Sequence, residues 1–259
     1  MVDVDYVIVT DIEGVVGIDS FANTRTDDPA KKAPAMDRLA DEVTACVAGI
    51  RDVRPDAVVL VWDGHGTGGL REDDLDDVIF VREGRPYFNI RGVEAQLFVG
   101  QHAMAGMPFA PLRHTYSSRS IESYRLNGTF IGEFGCRALV AGYQDVPTIF
   151  LSGDDKACLE AELFIPQIHT VPVKRGRGEE AATHDNPVVA DAAIREATAR
   201  AIERRDEIPP FTGIEPPFTL DVRRYGPIEE VPEEATRIDE RTIRYEGDDL
   251  LAEPFTALL

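Results

Sequence analysis

From residue 5 the chain reads DYVIVT and then meets Asp11. This short β-branched apolar run predicts a buried strand that delivers acids at its C-terminal end into the glycine-punctuated loop EGVVGIDS. Next, Leu39, Val43, Cys46, Val47 and Ile50 recur at spacings of three and four. That spacing predicts an amphipathic helix from Ala35 to about Ile50. Ala57 to Trp62 then form a continuous apolar strand that ends on Asp63 and His65 within a glycine-rich loop. Strand, helix, strand in this order is a βαβ unit, whose crossover is expected to be right-handed.

The pattern continues with a strand over Ala95–Val99, which runs into GQHAMAG and places His102 just past its end. Residues 120–131 carry Asn127-Gly128 between β-prone flanks, a hairpin signal. Gly132 to Gly142 reads as a helix with Glu133 in its first turn and Cys136, Leu139 and Val140 on its apolar face. A strand over Thr148–Leu151 ends at SGDD, and a helix over Lys156–Phe164 follows, capped by Asp154 or Asp155. Val188 to Arg205 has long helical periodicity, whereas IPPFTGIEPP at 208–217 suits neither helix nor central strand. Beyond it, FTLDVRR and ATRIDERTIRYEG alternate as half-exposed antiparallel strands do, and DDLLAEPFTALL ends in a short helix. The expected fold class is α/β: a mainly parallel sheet flanked by helices over residues 1–207, with a smaller C-terminal α+β extension over 208–259 packed on it.

Composition narrows the function classes. No stretch of the 259 residues approaches the ~20 apolar residues of a membrane helix, and the N-terminus carries aspartates where a signal peptide is basic. With 27 basic against 47 acidic residues and a formal charge of -20, the surface repels phosphate backbones and anionic lipid. Neither nucleic acid nor membrane is an expected partner. The three cysteines, Cys46, Cys136 and Cys158, sit in apolar segments and form no C-x-x-C pair. They read as buried thiols in a reducing, cytoplasmic compartment.

The chemistry gathers at strand ends. In open α/β sheets ligands bind beyond the carboxyl ends of the strands, and four expected strands end in Asp11 and Glu13, Asp63 and His65, His102, and Ser152-Gly153-Asp154-Asp155. Taken singly, each has a plain structural reading as a loop cap, a hydrogen-bonded loop histidine or a helix cap. Together on one edge, carboxylates and imidazoles without thiolates suit Zn²⁺, Mn²⁺ or Fe²⁺. The Asp-x-Glu pair adds a carboxylate able to bridge two ions. GHGTGG lacks the order and the lysine of a phosphate loop, and no G-x-S-x-G elbow occurs. His169 and His184 have no matching acids and read as structural or exposed.

Asp11-Ile12-Glu13-Gly14, Asp63-Gly64-His65, Gly100-Gln101-His102-Ala103, His114, Gly132-Glu133-Phe134-Gly135 and Ser152-Gly153-Asp154-Asp155 together resemble the DppA-type D-aminopeptidase family, over roughly residues 5–255. Val9 stands where that family usually has serine. The resemblance implies an amide hydrolase with two zinc ions per chain. They would be held by Asp11, Glu13, His65, His102 and Glu133, with Asp11 bridging and His114 near the metals as a catalytic residue rather than a ligand. Glu133 enters the set through the resemblance alone, since its position otherwise reads as an acid favoured by the helix dipole. The implied reaction releases N-terminal D-amino acids from short peptides by way of a metal-bridged hydroxide, with His114 stabilising the oxyanion or protonating the leaving amine. The implied assembly is a ring-shaped homo-decamer. The rival readings are another small-amide or ester metallohydrolase on the same scaffold and a non-enzymatic small-molecule-binding α/β protein. Metal content separates the last from the other two.

Overall fold

Five consecutive residues, Tyr6–Thr10, form β1, and all five are buried. A strand covered on both faces has no polar side to alternate with, which is why its sequence is an unbroken apolar run. The computed structural model describes residues 4–259. After β1 come a short helix α1 (Phe21–Thr24), the long α2 (Pro29–Val53), β2 (Val59–Asp63), β3 (Ile79–Val81) and β4 (Ala95–Gln101). The hairpin β5 (Ile121–Leu126) and β6 (Thr129–Phe130) leads to α3 (Glu133–Gly142), β7 (Thr148–Asp154), α4 (Asp155–Phe164), β8 (His169–Gly178) and β9 (Ala181–His184). The chain closes with α5 (Pro187–Glu203), β10 (Phe218–Arg224), β11 (Ala235–Arg237), β12 (Thr242–Gly247) and α6 (Phe255–Leu258).

The larger sheet has the order β3-β2-β1-β4-β7-β8-β9 and is parallel except for β9. From β1 the chain adds β2 and β3 on one side and β4, β7 and β8 on the other. This makes the β1/β4 boundary the switch point where a crevice opens beyond the strand ends. The expected α/β class is the observed one, with helices against a mostly parallel sheet. A second, antiparallel sheet has the order β11-β12-β10-β5-β6. It draws on both sides of the 208–217 connection: β10 lies against β5, with Leu220 opposite Leu126. Asn127 and Gly128 take positive φ in the expected hairpin turn.

Two elements depart from the expected pattern for physical reasons. α2 starts six residues before Ala35, because the Asp28 side chain accepts from Ala30 N and Pro29 takes the first helical position. Pro34 removes one N–H from the second turn without ending the helix. The basic and acidic stretch at 174–186 forms the β8–β9 hairpin, with Lys174 opposite His184. The charged residues of β8 and of its turn hide the strand character of this stretch. No helix among the described residues is long and apolar enough to cross a membrane.

Candidate metal centre

Four adjacent parallel strands, β2, β1, β4 and β7, present their carboxyl ends along one edge. Asp11 and Glu13 follow β1, His65 follows β2, and His102 follows β4. The loop after β1 is clamped to the end of β4, with Asp11 N donating to Val99 O (3.0 Å) and Gly14 N to Gly100 O (2.7 Å). Gly100 makes this approach possible: it takes φ +76°, and a Cβ there would lie 2.0 Å from Asp11 O. Glu133 arrives separately as the first residue of α3. Gly132 has no side chain to cap that helix, so Glu160 of α4 does so from outside, accepting from Gly132 N (2.8 Å) and Gly135 N (3.3 Å).

Asp11 is shared between two groups. Its Oδ1 lies 3.2 Å from His65 Nδ1, and its Oδ2 lies 3.2 Å from His102 Nε2. On the first side Glu13 Oε2 is 3.0 Å from His65 Nδ1; on the second, Glu133 Oε1 is 3.4 Å from His102 Nε2 and 3.8 Å from His114 Nε2. Asp11, Glu13 and His65 offer ligand atoms all within 4.8 Å of one another, and so do His102, His114 and Glu133. The structure thus brings together all six residues singled out from the sequence. His114, expected beside the donors, has its ring stacked on His102 with centroids 3.9 Å apart.

Hydrogen bonds on the far side of each imidazole set which nitrogen faces the centre. His102 Nδ1 lies 2.9 Å from Ala103 O, and His114 Nδ1 lies 2.9 Å from Leu112 O, so each turns Nε2 inward. His65 is reversed: Nε2 lies 3.1 Å from Thr24 O, which turns Nδ1 inward. Backbone carbonyls of this kind fix tautomer and ring orientation in histidines that bind metals. Glu13 Oε2 and His102 Nε2 are buried without hydrogen-bond partners.

The three carboxylates need protons or cations on the imidazole side to balance them. Asp11, Glu13 and Glu133 are buried, and the one buried guanidinium against them is that of Arg137, whose Nη2 lies 2.8 Å from Glu133 Oε2. Burial works to raise the Glu133 pKa, but Arg137 and His102 hold it down at about 2. Burial likewise opposes ionisation of Asp11, yet the close approach of the His102 and His65 imidazoles keeps it well below the usual carboxylate range. Burial alone would lower His65, but the neighbouring Glu13 and Asp11 raise it to about 10. His114 differs from its neighbours, because burial and the adjacent His102 press its pKa down. Without a cation the three carboxylates are offset only by Arg137 and by protons held on His65 and His102; divalent cations at the same atoms would supply that charge and free the imidazole nitrogens as ligands.

Other strand-end acids serve the scaffold. Asp63 accepts from Gly69 N (2.8 Å) and Leu70 N (3.3 Å), closing the loop that carries His65. Asp154 caps α4 through Lys156 N and Ala157 N and also accepts from Ala103 N at 2.7 Å, bolting the residue after His102 to β7. Asp155 accepts from Gly176 N (2.9 Å). His184 Nδ1 accepts from Gly17 N (2.9 Å), and His169 begins β8 away from the centre. Three contributors had escaped the sequence reading. Arg137 was detectable as an i,i+4 partner of Glu133 on one helix. Thr24 acts through its carbonyl alone. Lys174 is fully buried and donates to Glu13 O (2.5 Å) and Ile18 O, which anchors the loop after β1 from β8.

A cavity of about 860 Å³ opens over the centre, walled by Asp11, Glu13, His65, His114 and Glu133 and continued by arginines and aromatic rings. The sequence profile described as D-aminopeptidase, peptidase family M55, matches residues 5–256. A curated relative, the D-aminopeptidase of Bacillus subtilis strain 168, is 29% identical over 264 residues, covering 96% of this chain and 93% of that protein. The solved structure of the Zn-dependent D-aminopeptidase DppA from Bacillus subtilis, described as a self-compartmentalizing protease, superposes with a TM-score of 0.84 at 23% identity. That match covers 95% of this chain and 93% of the other, a likeness of fold. With the family profile spanning nearly the whole chain, this protein belongs to the D-aminopeptidase family of peptidases, M55.

Proposed function

We propose that the chain is a zinc-dependent aminopeptidase that releases N-terminal D-amino acids from short peptides at a dinuclear centre. The observation that carries the reading is Asp11, which turns one carboxylate oxygen to His65 and the other to His102. In this reading Asp11, Glu13 and His65 hold one ion, Asp11, His102 and Glu133 hold the second, and Asp11 bridges. Zinc bound there supplies a Lewis acid for the substrate carbonyl and lowers the pKa of water. His114, with Nδ1 engaged by Leu112 O, keeps Nε2 free to pass a proton to the leaving amine. Arg137 keeps Glu133 ionised and oriented, and Glu160 fixes the helix start from which Glu133 projects.

The assembly that fits this reading is a homo-oligomer, in keeping with the self-compartmentalizing relative; the sequence resemblance implies a ring-shaped decamer. The compartment is the cytoplasm, in keeping with three buried free thiols. The test is metal analysis of the purified protein together with hydrolysis of D- and L-amino-terminal dipeptides before and after chelation. Two zinc-class ions per chain, with activity lost on chelation and restored by Zn²⁺, Mn²⁺ or Co²⁺, are expected. A metal-free protein whose activity ignores chelator refutes the reading, and an exclusive preference for L-residues refutes its substrate.

A further inference from the structure

The cavity beyond the centre gathers arginines, among acids that include Asp27, Asp63 and Glu83. In a chain with 47 acidic residues against 27 basic, Arg25, Arg82, Arg85, Arg119 and Arg137 all line this one space. Three of them are engaged: Arg82 lies 3.3 Å from Asp63 Oδ2, Arg85 donates to the carbonyls of Thr256 and Leu259, and Arg137 holds Glu133. Arg25 and Arg119 make no ion pair among the described residues, and Arg25 Nε is buried without a hydrogen-bond partner.

Arg25 is fixed to the centre from two directions. Its guanidinium carbon lies 3.0 Å from the centroid of the Phe21 ring, and that ring meets His114 edge-on with centroids 6.2 Å apart. Through the backbone, the preceding residue, Thr24, offers the carbonyl that orients His65. One phenyl ring therefore separates the guanidinium from His114. A guanidinium stacked by its face keeps its N–H groups free in the plane, in the fork that matches a carboxylate. Burial presses the Arg25 pKa down, with Arg119 acting the same way and the nearby Glu13, Glu179 and Glu180 acting against it. Ser118 lines the same stretch of wall. Along an extended peptide each residue spans roughly 3.5 Å, so the carboxylate of a di- or tripeptide ends one or two such steps past the scissile amide.

Building on the aminopeptidase reading, we propose that Arg25, together with Arg119, binds the free C-terminal carboxylate of the peptide substrate and so favours peptides with an unblocked C-terminus.

The test is calorimetric binding to the zinc-loaded protein of the reduced-amide analogue of D-alanyl-D-alanine, in which –CH2–NH– replaces the scissile amide. The analogue is compared as free acid and as C-terminal carboxamide. The wild type should bind the acid about tenfold or more tighter, the scale of hydrogen bonds between charged groups. In Arg25→Gln that ratio should fall to about threefold or less, and Arg119→Gln should reduce it in part. Equal binding of acid and carboxamide by the wild type overturns the proposal. So does an undiminished ratio in an Arg25→Gln protein whose circular dichroism and zinc content match the wild type. Hydrolysis of D-alanyl-D-alanine itself is followed on the same preparation. Its absence counts against the aminopeptidase reading, whereas the acid-to-amide ratio bears on Arg25.

Discussion

His102 and His114 lie face to face, ring planes 11° apart, each with Nδ1 against a backbone carbonyl and each with Nε2 within 4 Å of Glu133 Oε1. The pair is alike in geometry but not in acidity. His102 is raised well above the ordinary value: burial works against this, while the nearby carboxylates of Asp11 and Glu133 carry it up. Burial together with the charge of His102 lowers His114.

From that contrast, His114→Ala should reduce kcat by about 10² to 10⁴ while metal content and fold persist. Zinc stoichiometry and turnover measured on one preparation decide the matter. Lost metal would make His114 a ligand, and full turnover would make it a bystander.

Asp11→Ala should deplete both ions, because one carboxylate faces both donor groups, whereas Asp154→Ala should leave metal in place and cost stability through the lost α4 cap, about 1 kcal/mol or more. Equal metal content in the two variants would remove the bridging assignment.

Arg137→Gln leaves Glu133 buried opposite no guanidinium, a change expected to destabilise the metal-free protein by about 3–5 kcal/mol. Denaturant unfolding in the presence of chelator measures this. A loss below about 1 kcal/mol would show that the pair is not a buried charge pair in the energetic sense.

Glu42 gives a pH signature away from the centre. It is fully buried with Oε1 accepting from Val16 N (2.8 Å), and burial raises its pKa from 4.5 to about 7. Between those values the folded protein binds the extra proton, so stability falls as pH rises and the contribution is gone above pH 7. At about 1.4 kcal/mol per unit the effect is at most ~3 kcal/mol. Glu42→Gln keeps an acceptor for Val16 N without the charge. Its unfolding free energy relative to wild type should therefore climb by about 2–3 kcal/mol from pH 4.5 to 8. A difference that ignores pH would contradict the assignment.

With -20 per chain, contacts between copies must segregate or neutralise acid, so oligomers should loosen at low salt. Sedimentation velocity at low and high ionic strength reads this directly. A monomer at both would exclude the assembly.

Much of this site was legible in the sequence because a strand buried on both faces announces itself, and the first polar residue after it marks the sheet edge. Asp11, His65 and His102 were found that way. Glu133 was not, since an acid in the first turn of a helix looks the same whether it caps, solvates or binds, and only the resemblance distinguished it. Lys174 was lost in a charged stretch because periodicity reports which face is covered, not what lies over it. Arg25 stayed invisible for a related reason. Its role depends on a ring stack and a backbone carbonyl, and neither leaves a pattern of residue types. The boundary expected at residue 207 rested on two Pro-Pro pairs, which mark where a chain cannot pair but not where a sheet ends.

That second sheet also sets a timetable. β5 leads through its hairpin to Glu133, yet its neighbour β10 is made long after every candidate ligand has been synthesised. A growing chain thus carries all the metal-binding side chains while β5, in the segment between His114 and Glu133, has only the two-residue β6 beside it. Zinc offered to ribosome-bound chains halted after residue 207 should protect the β1–β4 region from protease more weakly than in chains halted past β12. The last strands to emerge, which touch none of the ligands, therefore decide when the centre can close.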